Sequence, residues 1–255
     1  MLTGVFITTL DFFIVNVAIP SIQRDLHANA AAVEWVVAGY GLAFGSGLIL
    51  GGRLGDIFGR RRMFLIGLAA FVLASVECGL APNAGALVAT RVVQGAAGAL
   101  VSPQVLAILR TTYQGARQRR AIGAYALTMG LAAAFAQVIG GLLIQSDLFG
   151  LGWRTCFLIN VPIGAAALFL ARRVIPESRQ SGSPRLDVGG AALVTLALVA
   201  IMLSLIEGRE QGWPLWTWLS LGLAAVLLVG YGRRRHESPS STCPCSASGR
   251  SPSGC

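Results

Sequence analysis

Eight apolar stretches, roughly 2–22, 34–54, 62–81, 86–108, 121–144, 156–171, 188–206 and 214–232, fill most of this 255-residue chain. A helix needs about 20 apolar residues to cross a bilayer, and inside the hydrocarbon every backbone N–H and C=O must be bonded within its own segment. The pattern therefore predicts an all-α, polytopic membrane bundle of eight spans, of which the sixth is the shortest. Composition agrees: 55% of residues are hydrophobic and 12% charged, about half the charge of an average soluble domain.

A net charge of +9 would suit a nucleic-acid surface, but the placement of the charge argues for a membrane. All 20 basic residues are Arg, and they gather in alternate gaps between the spans. Arg60, Arg61 and Arg62 follow the second span; Arg110, Arg117, Arg119 and Arg120 follow the fourth; Arg172, Arg173, Arg179 and Arg185 follow the sixth; Arg233–Arg235 follow the eighth. The other gaps hold only Arg24, Arg154 and Arg209, each near an acid. Basic loops stay on the cytoplasmic side, so a multi-pass protein of the plasma (inner) membrane with both termini cytoplasmic is expected. The bilayer is its expected partner, and nucleic acid is not.

Gly51–Phe64, GGRLGDIFGRRRMF, reads as a short loop between the second and third spans, with Asp56 set among Arg53, Arg60, Arg61 and Arg62. It resembles the signature loop between helices 2 and 3 of the major facilitator superfamily, Gly-x-Leu-Ala-Asp-Arg-x-Gly-Arg-Arg/Lys. Gly52, Leu54, Asp56, Gly59, Arg60 and Arg61 match, while Gly55 stands for Ala and Ile57 for Arg. The bland alternative is a generic positive-inside loop.

Asp11 lies mid-span in the first stretch, where a carboxylate is costly and by default marks function. A helix-packing acid is the alternative. Asn16 and Pro20 add polar and helix-breaking character that must lie against protein or water. Leu10–Pro20 resembles the first helix of the fourteen-helix drug:proton antiporters, with Phe13 in place of Thr. Arg91, Gln94, Gly95 and Gly98 share one face of the fourth span and resemble that family's Arg-x-x-Gln-Gly motif; an arginine snorkelling to the outer interface is the alternative. In the fifth span Gly140 and Gly141 match the antiporter motif Gly-x-x-x-Gly-Pro-x-x-Gly-Gly, while Ala132 and Ala136 replace glycines and Gln137 replaces the proline. Gly152–Gly164, GWRTCFLINVPIG, resembles the entry to helix 6. Gly39, Gly41, Gly45 and Gly47 are expected to form a close-packing face on the second span. Glu77, near the outer end of the third span, either snorkels to the interface or is functional.

The expected organisation is a six-helix transporter bundle at 1–176, a cytoplasmic linker at 177–187, two extra membrane helices at 188–232 and a disordered tail at 233–255. The Ser/Pro/Cys-rich end, SPSSTCPCSASGRSPSGC, is read either as out-of-frame sequence after a deletion or frameshift, or as a genuine tail with Cys243 and Cys245 as palmitoylation or metal candidates. No basic n-region or cleavage site opens the chain, so no signal peptide is expected.

The resemblance implies a proton-coupled efflux transporter of drug-like small molecules, in a form lacking the second bundle. Asp11 and Arg91 would serve proton coupling; Gly52, Asp56, Gly59, Arg60 and Arg61 would form the gating loop; Gly95, Gly98, Gly140 and Gly141 would pack helices. One bundle alone is not expected to complete a transport cycle, because alternating access rocks one repeat against another. The other reading is a non-transporting membrane scaffold or inactive remnant that associates with another transporter chain, and self-association is open in either. An enzyme is not expected: there is no Ser/His/Asp set, phosphate loop, metal cluster or cofactor motif, and His27 and His236 lie in loops.

The alternating arginines set a test. In a background without the native cysteines, Asp147→Cys and Gln118→Cys should react with an impermeant thiol reagent from opposite sides of the membrane; labelling of both from one side would refute the topology.

Overall fold

The structure, a computed structural model, describes residues 1–175 and 188–237. Its elements are α1 (Leu2–Leu26), α2 (Ala30–Phe58), α3 (Arg60–Gly79), α4 (Ala84–Thr112), α5 (Gly115–Ser146), α6 (Thr155–Leu158), α7 (Asn160–Val174), α8 (Val188–Gln211) and α9 (Leu215–Glu237), with short 3-10 turns at Leu148–Gly150 and Gly152–Arg154. The described residues hold helices and turns and no strand. The linker at 177–187, with Arg179 and Arg185, and the tail from 238, with Cys243, Cys245 and Cys255, lie outside the described residues. Residues 233–237, expected in the tail, are the helical end of α9.

Among the described residues, six segments are long and apolar enough to cross a membrane: α1 to α5, and Gly152–Val174, which joins α6 and α7. The sixth thus starts before residue 156, through the 3-10 turn at Gly152–Arg154. Pro162 fits because it lies in the first turn of α7, where an N–H has no helical partner. The expected seventh and eighth spans are helices with shorter apolar segments, Leu196–Leu205 and Leu215–Gly230. Glu207, Arg209 and Glu210 occupy the end of α8, and arginines from Arg233 the end of α9.

In the bundle α4 lies between α2 and α3, and α1 packs on α5; α8 and α9 form a hairpin whose first helix lies along α2. Trp35 of α2 joins that hairpin by donating Nε1–H to Glu207 at 3.3 Å. Leu73, Leu127, Leu142 and Val174 point outward, as lipid-facing residues do. Since lipid is as apolar as leucine, close packing and polar contacts must hold such helices together.

The α2–α4 seam shows how. Gly47, Gly51 and Gly55 recur every fourth residue, hence on one face. A Cβ at Gly51 would fall on the Ala99 carbonyl oxygen, and one at Gly47 would come within 2.8 Å of the Ala99 Cβ. Pro103 lies four residues beyond Ala99 inside α4, so it offers no N–H to that carbonyl, which turns to the Gly51 backbone instead. A Cβ at Gly55 would strike the Gln104 side chain, whose Nε2 donates to the Gly51 carbonyl at 2.7 Å. The packing face therefore differs from the expected glycine set: Gly45 meets open space, and Gly41 makes only ordinary contact with Phe12 at 3.5 Å. On α5, Ala132, Ala136 and Gly140 are buried, and a Cβ at Gly140 would lie 2.8 Å from Ile14. Gly141, one position on, has nothing within 4 Å.

This seam predicts opposite effects for two kinds of glycine substitution. Gly51→Val should destabilise the detergent-solubilised protein by about 1–3 kcal/mol or more, as overpacking does. Gly45→Ala should be neutral or stabilising, since Ala is the better helix former by about 1 kcal/mol. Equal thermal-unfolding midpoints for both variants would refute the seam.

Candidate functional site

Four polar side chains meet in the middle of the bundle with no exposure to solvent: Asp11 on α1, Ser75 on α3, Arg91 and Gln94 on α4; Asn160 on α7 joins them, equally buried. Arg91 and Gln94 are three apart on a helix, so they share a face. Arg91 Nη1 donates to Asp11 Oδ2 and, at 2.7 Å, to Gln94 Oε1, while Arg91 Nε donates to the Val36 carbonyl of α2 at 3.1 Å. Gln94 Nε2 donates to Asp11 Oδ1 at 2.9 Å and Ser75 Oγ at 2.8 Å. Asn160 Nδ2 donates to Asp11 Oδ1 at 2.7 Å and Ser75 Oγ at 3.3 Å. Ser75 Oγ passes its own hydrogen to the Phe71 carbonyl at 2.8 Å. Arg91 is thus fully buried and ion-paired with Asp11, which excludes the snorkelling alternative. Glu77 is exposed at the end of α3.

Aromatic rings complete the enclosure. The Arg91 guanidinium carbon stands 4.2 Å from the Tyr40 ring centroid and 5.6 Å from that of Phe157. Tyr40 is held by its hydroxyl, which donates to the Thr8 carbonyl at 3.0 Å. Gly95 makes room for Tyr40, because a Cβ there would fall on the Tyr40 carbonyl oxygen; a Cβ at Gly98 would come 3.1 Å from its hydroxyl.

Tyr40 also faces the other way. With Thr8, Thr9, Phe12, Phe13, Gly41, Phe44 and Met129 it lines an apolar cavity of about 330 Å³ among α1, α2 and α5. Phe12 lies 5.6 Å and Phe44 6.0 Å from the Tyr40 ring, the latter stacked. One ring therefore separates a buried ion pair from an aromatic cavity large enough for a small organic molecule. Phe13, which stands for the family's Thr, belongs to the cavity wall. Gln137, which stands for proline, leaves α5 unbroken and donates to the Phe13 carbonyl at 3.4 Å.

The stretch expected as a loop is helical except for one residue. α2 continues through Gly52 and Asp56 to Phe58, and α3 begins at Arg60. Gly59 makes the whole turn, with φ at 105°, a backbone angle that L side chains rarely adopt. Across it Asp56 Oδ1 accepts from Arg60 Nε at 3.3 Å and Nη2 at 2.9 Å. Arg61 Nη2 donates to the Arg172 carbonyl at 2.6 Å, tying the start of α3 to the end of α7. Gly52 sits beside this corner, with only Pro103 near its missing Cβ, at 3.7 Å.

The helical fold is shared with known proteins. The description Major Facilitator Superfamily matches residues 1–235. The chain belongs to that superfamily. It is 41% identical over 222 residues to a protein described as a probable actinorhodin transporter of Streptomyces coelicolor, covering 87% of this chain and 38% of that protein. It is 40% identical over 225 residues to the tetracenomycin C resistance and export protein of Streptomyces glaucescens, covering 88% of this chain and 41% of the relative. The chain therefore spans about two fifths of the length of these relatives. Among solved structures, a bacterial homolog to the human lysosomal transporter Spinster superposes with TM-score 0.62 at 20% identity over 89% of this chain and 57% of that one. The peptide transporter POT superposes with TM-score 0.59 at 19% identity, over 93% of this chain and 52% of that one. The chain is accordingly a multi-pass membrane protein with the superfamily's helical fold.

Sequence reasoning placed Asp11, Arg91 and Gln94 but gave no part to Tyr40, Ser75, Asn160 or Gln104. Asn160 had a legible signal, an Asn between apolar residues of a span. Tyr40 had none, since an aromatic residue in a membrane helix is ordinary.

Removing one member of a buried ion pair leaves the other charge uncompensated, at about 3–5 kcal/mol. Asp11→Leu and Arg91→Leu should each lower stability by that order, and the double variant should lose clearly less than the sum. Additive losses in thermal unfolding would show that the two side chains act independently.

Proposed function

We propose that this chain forms the first bundle of a proton-coupled exporter of drug-like molecules in the plasma (inner) membrane, with both termini cytoplasmic and α8 and α9 as two further membrane helices. In this reading Asp11 takes up and releases the proton, and Arg91 holds the carboxylate charged between uptakes. The substrate lies in the aromatic cavity, against Phe12, Phe13, Tyr40 and Phe44. The observation that carries the reading is the double role of Tyr40, 4.2 Å from the Arg91 guanidinium carbon on one side and part of the cavity wall on the other.

An apolar molecule entering the cavity packs on Tyr40, and the ring's position sets how well the guanidinium is stabilised by its face. Loss of the charge on Asp11 changes what Arg91 needs from that ring. The two ligands are thus linked through one side chain, and a coupling free energy acts equally in both directions. Export is supported by the relatives, one described as a transporter and one as an export protein. The corner at Gly59, with Asp56 bound to Arg60 and Arg61 bound to the end of α7, serves as the cytoplasmic latch in this reading. α2 and α5, which bury few of their residues, flank the cavity and are where a second bundle, of this or another chain, would close it.

A chimera in which residues 1–235 replace the matching part of the tetracenomycin C export protein tests the reading. Tetracenomycin C export driven by an imposed pH gradient is expected; Asp11→Asn and Arg91→Gln should abolish the pH-driven component while the protein still inserts. Export that responds to the pH gradient as before in both variants would overturn the coupling role.

A further inference from the structure

Every hydrogen-bond partner that Asp11 has is a donor. Oδ2 receives Arg91 Nη1–H, and Oδ1 receives Gln94 Nε2–H and Asn160 Nδ2–H. That arrangement suits a carboxylate, which only accepts, and it gives a carboxylic acid nothing to donate to. If Asp11 takes up a proton, one of its neighbours must become an acceptor or a buried O–H is left unbonded.

The neighbours differ in their freedom to do so. Arg91 has no acceptor atom. Gln94 is fixed in its orientation: its Oε1 accepts from Arg91 Nη1 at 2.7 Å and from the Cys78 thiol at 3.4 Å, so turning the amide would point an N–H₂ at a guanidinium. Asn160 is different. Its Oδ1 is buried and accepts no hydrogen bond at all, while its Nδ2 serves Asp11 and Ser75. Ser75 keeps Gln94 Nε2–H as a donor if Asn160 leaves it. A buried amide oxygen with no partner, on a side chain already touching the acid, is a group held ready for a second arrangement.

We propose that Asn160 is the positioning residue that accommodates the proton: when a proton from water adds to Asp11 Oδ1, the Asn160 amide turns through half a revolution and its Oδ1 accepts the new O–H. The step breaks one O–H bond of a hydronium ion, which leaves as water, and makes one O–H bond on Asp11; no other proton moves. The hydrogen bonds from Asn160 Nδ2 to Asp11 and Ser75 are exchanged for one from Asp11 to Asn160 Oδ1, and the N–H₂ moves to the place the unbonded oxygen held, so each arrangement leaves one end of this amide without a partner. The turn conserves volume, because the two ends of an amide are nearly the same size, so the close packing around it is kept. The groups that face Asp11 are Arg91 from α4, Tyr40 from α2, Cys78 from α3 and Cys156 from α6; from α5 the buried residues are Ala132, Ala136 and Gly140, which do not titrate. The inference rests on the coupling reading of Asp11. It adds that α7, through Asn160, registers the protonation of a residue on α1.

Infrared difference spectroscopy of the full chain in lipid vesicles, recorded between acid and neutral buffer, reads both events separately. The carboxylic-acid C=O stretch reports Asp11, assigned by its loss in Asp11→Asn. The side-chain amide band of isotope-labelled asparagine reports the turn; the other asparagines are Asn16, Asn29 and Asn83, and the latter two cap helices by accepting backbone N–H. Expected is a pH-dependent shift of the labelled amide band that titrates together with the acid band and disappears in both Asp11→Asn and Asn160→Ser. The serine hydroxyl can donate or accept as needed, so the acid band should persist in Asn160→Ser, which also shows that the variant is folded. An acid band that titrates with no labelled amide shift overturns the role of Asn160 and leaves the coupling reading standing. Absence of any Asp11 acid band across the accessible pH range overturns both.

Discussion

A charge in the middle of a membrane bundle must be paired, and that requirement organises this chain. Asp11 and Arg91 come from helices that do not follow one another in sequence, and both are fully buried. A lone carboxylate or guanidinium there would be severely penalised, so α1 and α4 are held together wherever the pair forms. The remaining lone pairs and N–H groups then recruit further helices: Val36 and Tyr40 bring α2, Ser75 brings α3 and Asn160 brings α7. In a solvent that gives helices no hydrophobic reason to associate, a central polar network can fix their register.

That network is reachable only because α2 approaches α4 closely. Arg91 bonds a backbone carbonyl of α2, which calls for near contact between the two helix backbones. Gly95 at this level and the Gly47, Gly51 and Gly55 row farther along provide it. Pro103 contributes in a way not apparent from its usual role as a helix breaker. It withholds the N–H that would bond the Ala99 carbonyl in a regular helix, and that oxygen lies against Gly51, where a Cβ would fall on it. Gln104 then fills the space beside Gly55 and bonds the Gly51 carbonyl, so a polar side chain locks the seam instead of weakening it.

The legible part of the fold was its hydrophobic arithmetic. Long apolar runs name the helices, because unbonded backbone groups are costly in lipid. Asp11 and Arg91 were legible for the same reason, since intramembrane charges are rare enough to stand out. What escaped was anything decided by neighbours. The Asp56 stretch reads as a loop from its glycines and charges, yet Gly59 alone suffices for the turn, and the Asp56–Arg60 bond spans it. Among consecutive glycines, sequence cannot say which face looks at a partner: Gly140 packs on Ile14 and Gly141 on nothing. The part played by Tyr40 depends on what stands on each side of its ring, which is a property of the assembled bundle.

The polar network and the cavity also differ in kind. The network is nearly saturated: Arg91 Nη2 and Asn160 Oδ1 are the atoms within it that lack a hydrogen bond. The cavity beside it is lined mainly by aromatic and small residues that make few directional demands. A site with precise polar requirements tolerates one occupant of fixed size, such as a proton, whereas an aromatic cavity admits many molecules of similar bulk. In the proposed exporter the two requirements are kept apart on opposite faces of Tyr40, so that tolerance toward the cargo need not loosen the geometry around the acid. The ring can join them because it is fixed at one end by the Thr8 carbonyl and offers a face to each side. A side chain able to meet only one of the two sites would leave proton and cargo with no common contact through which either could alter the other's affinity.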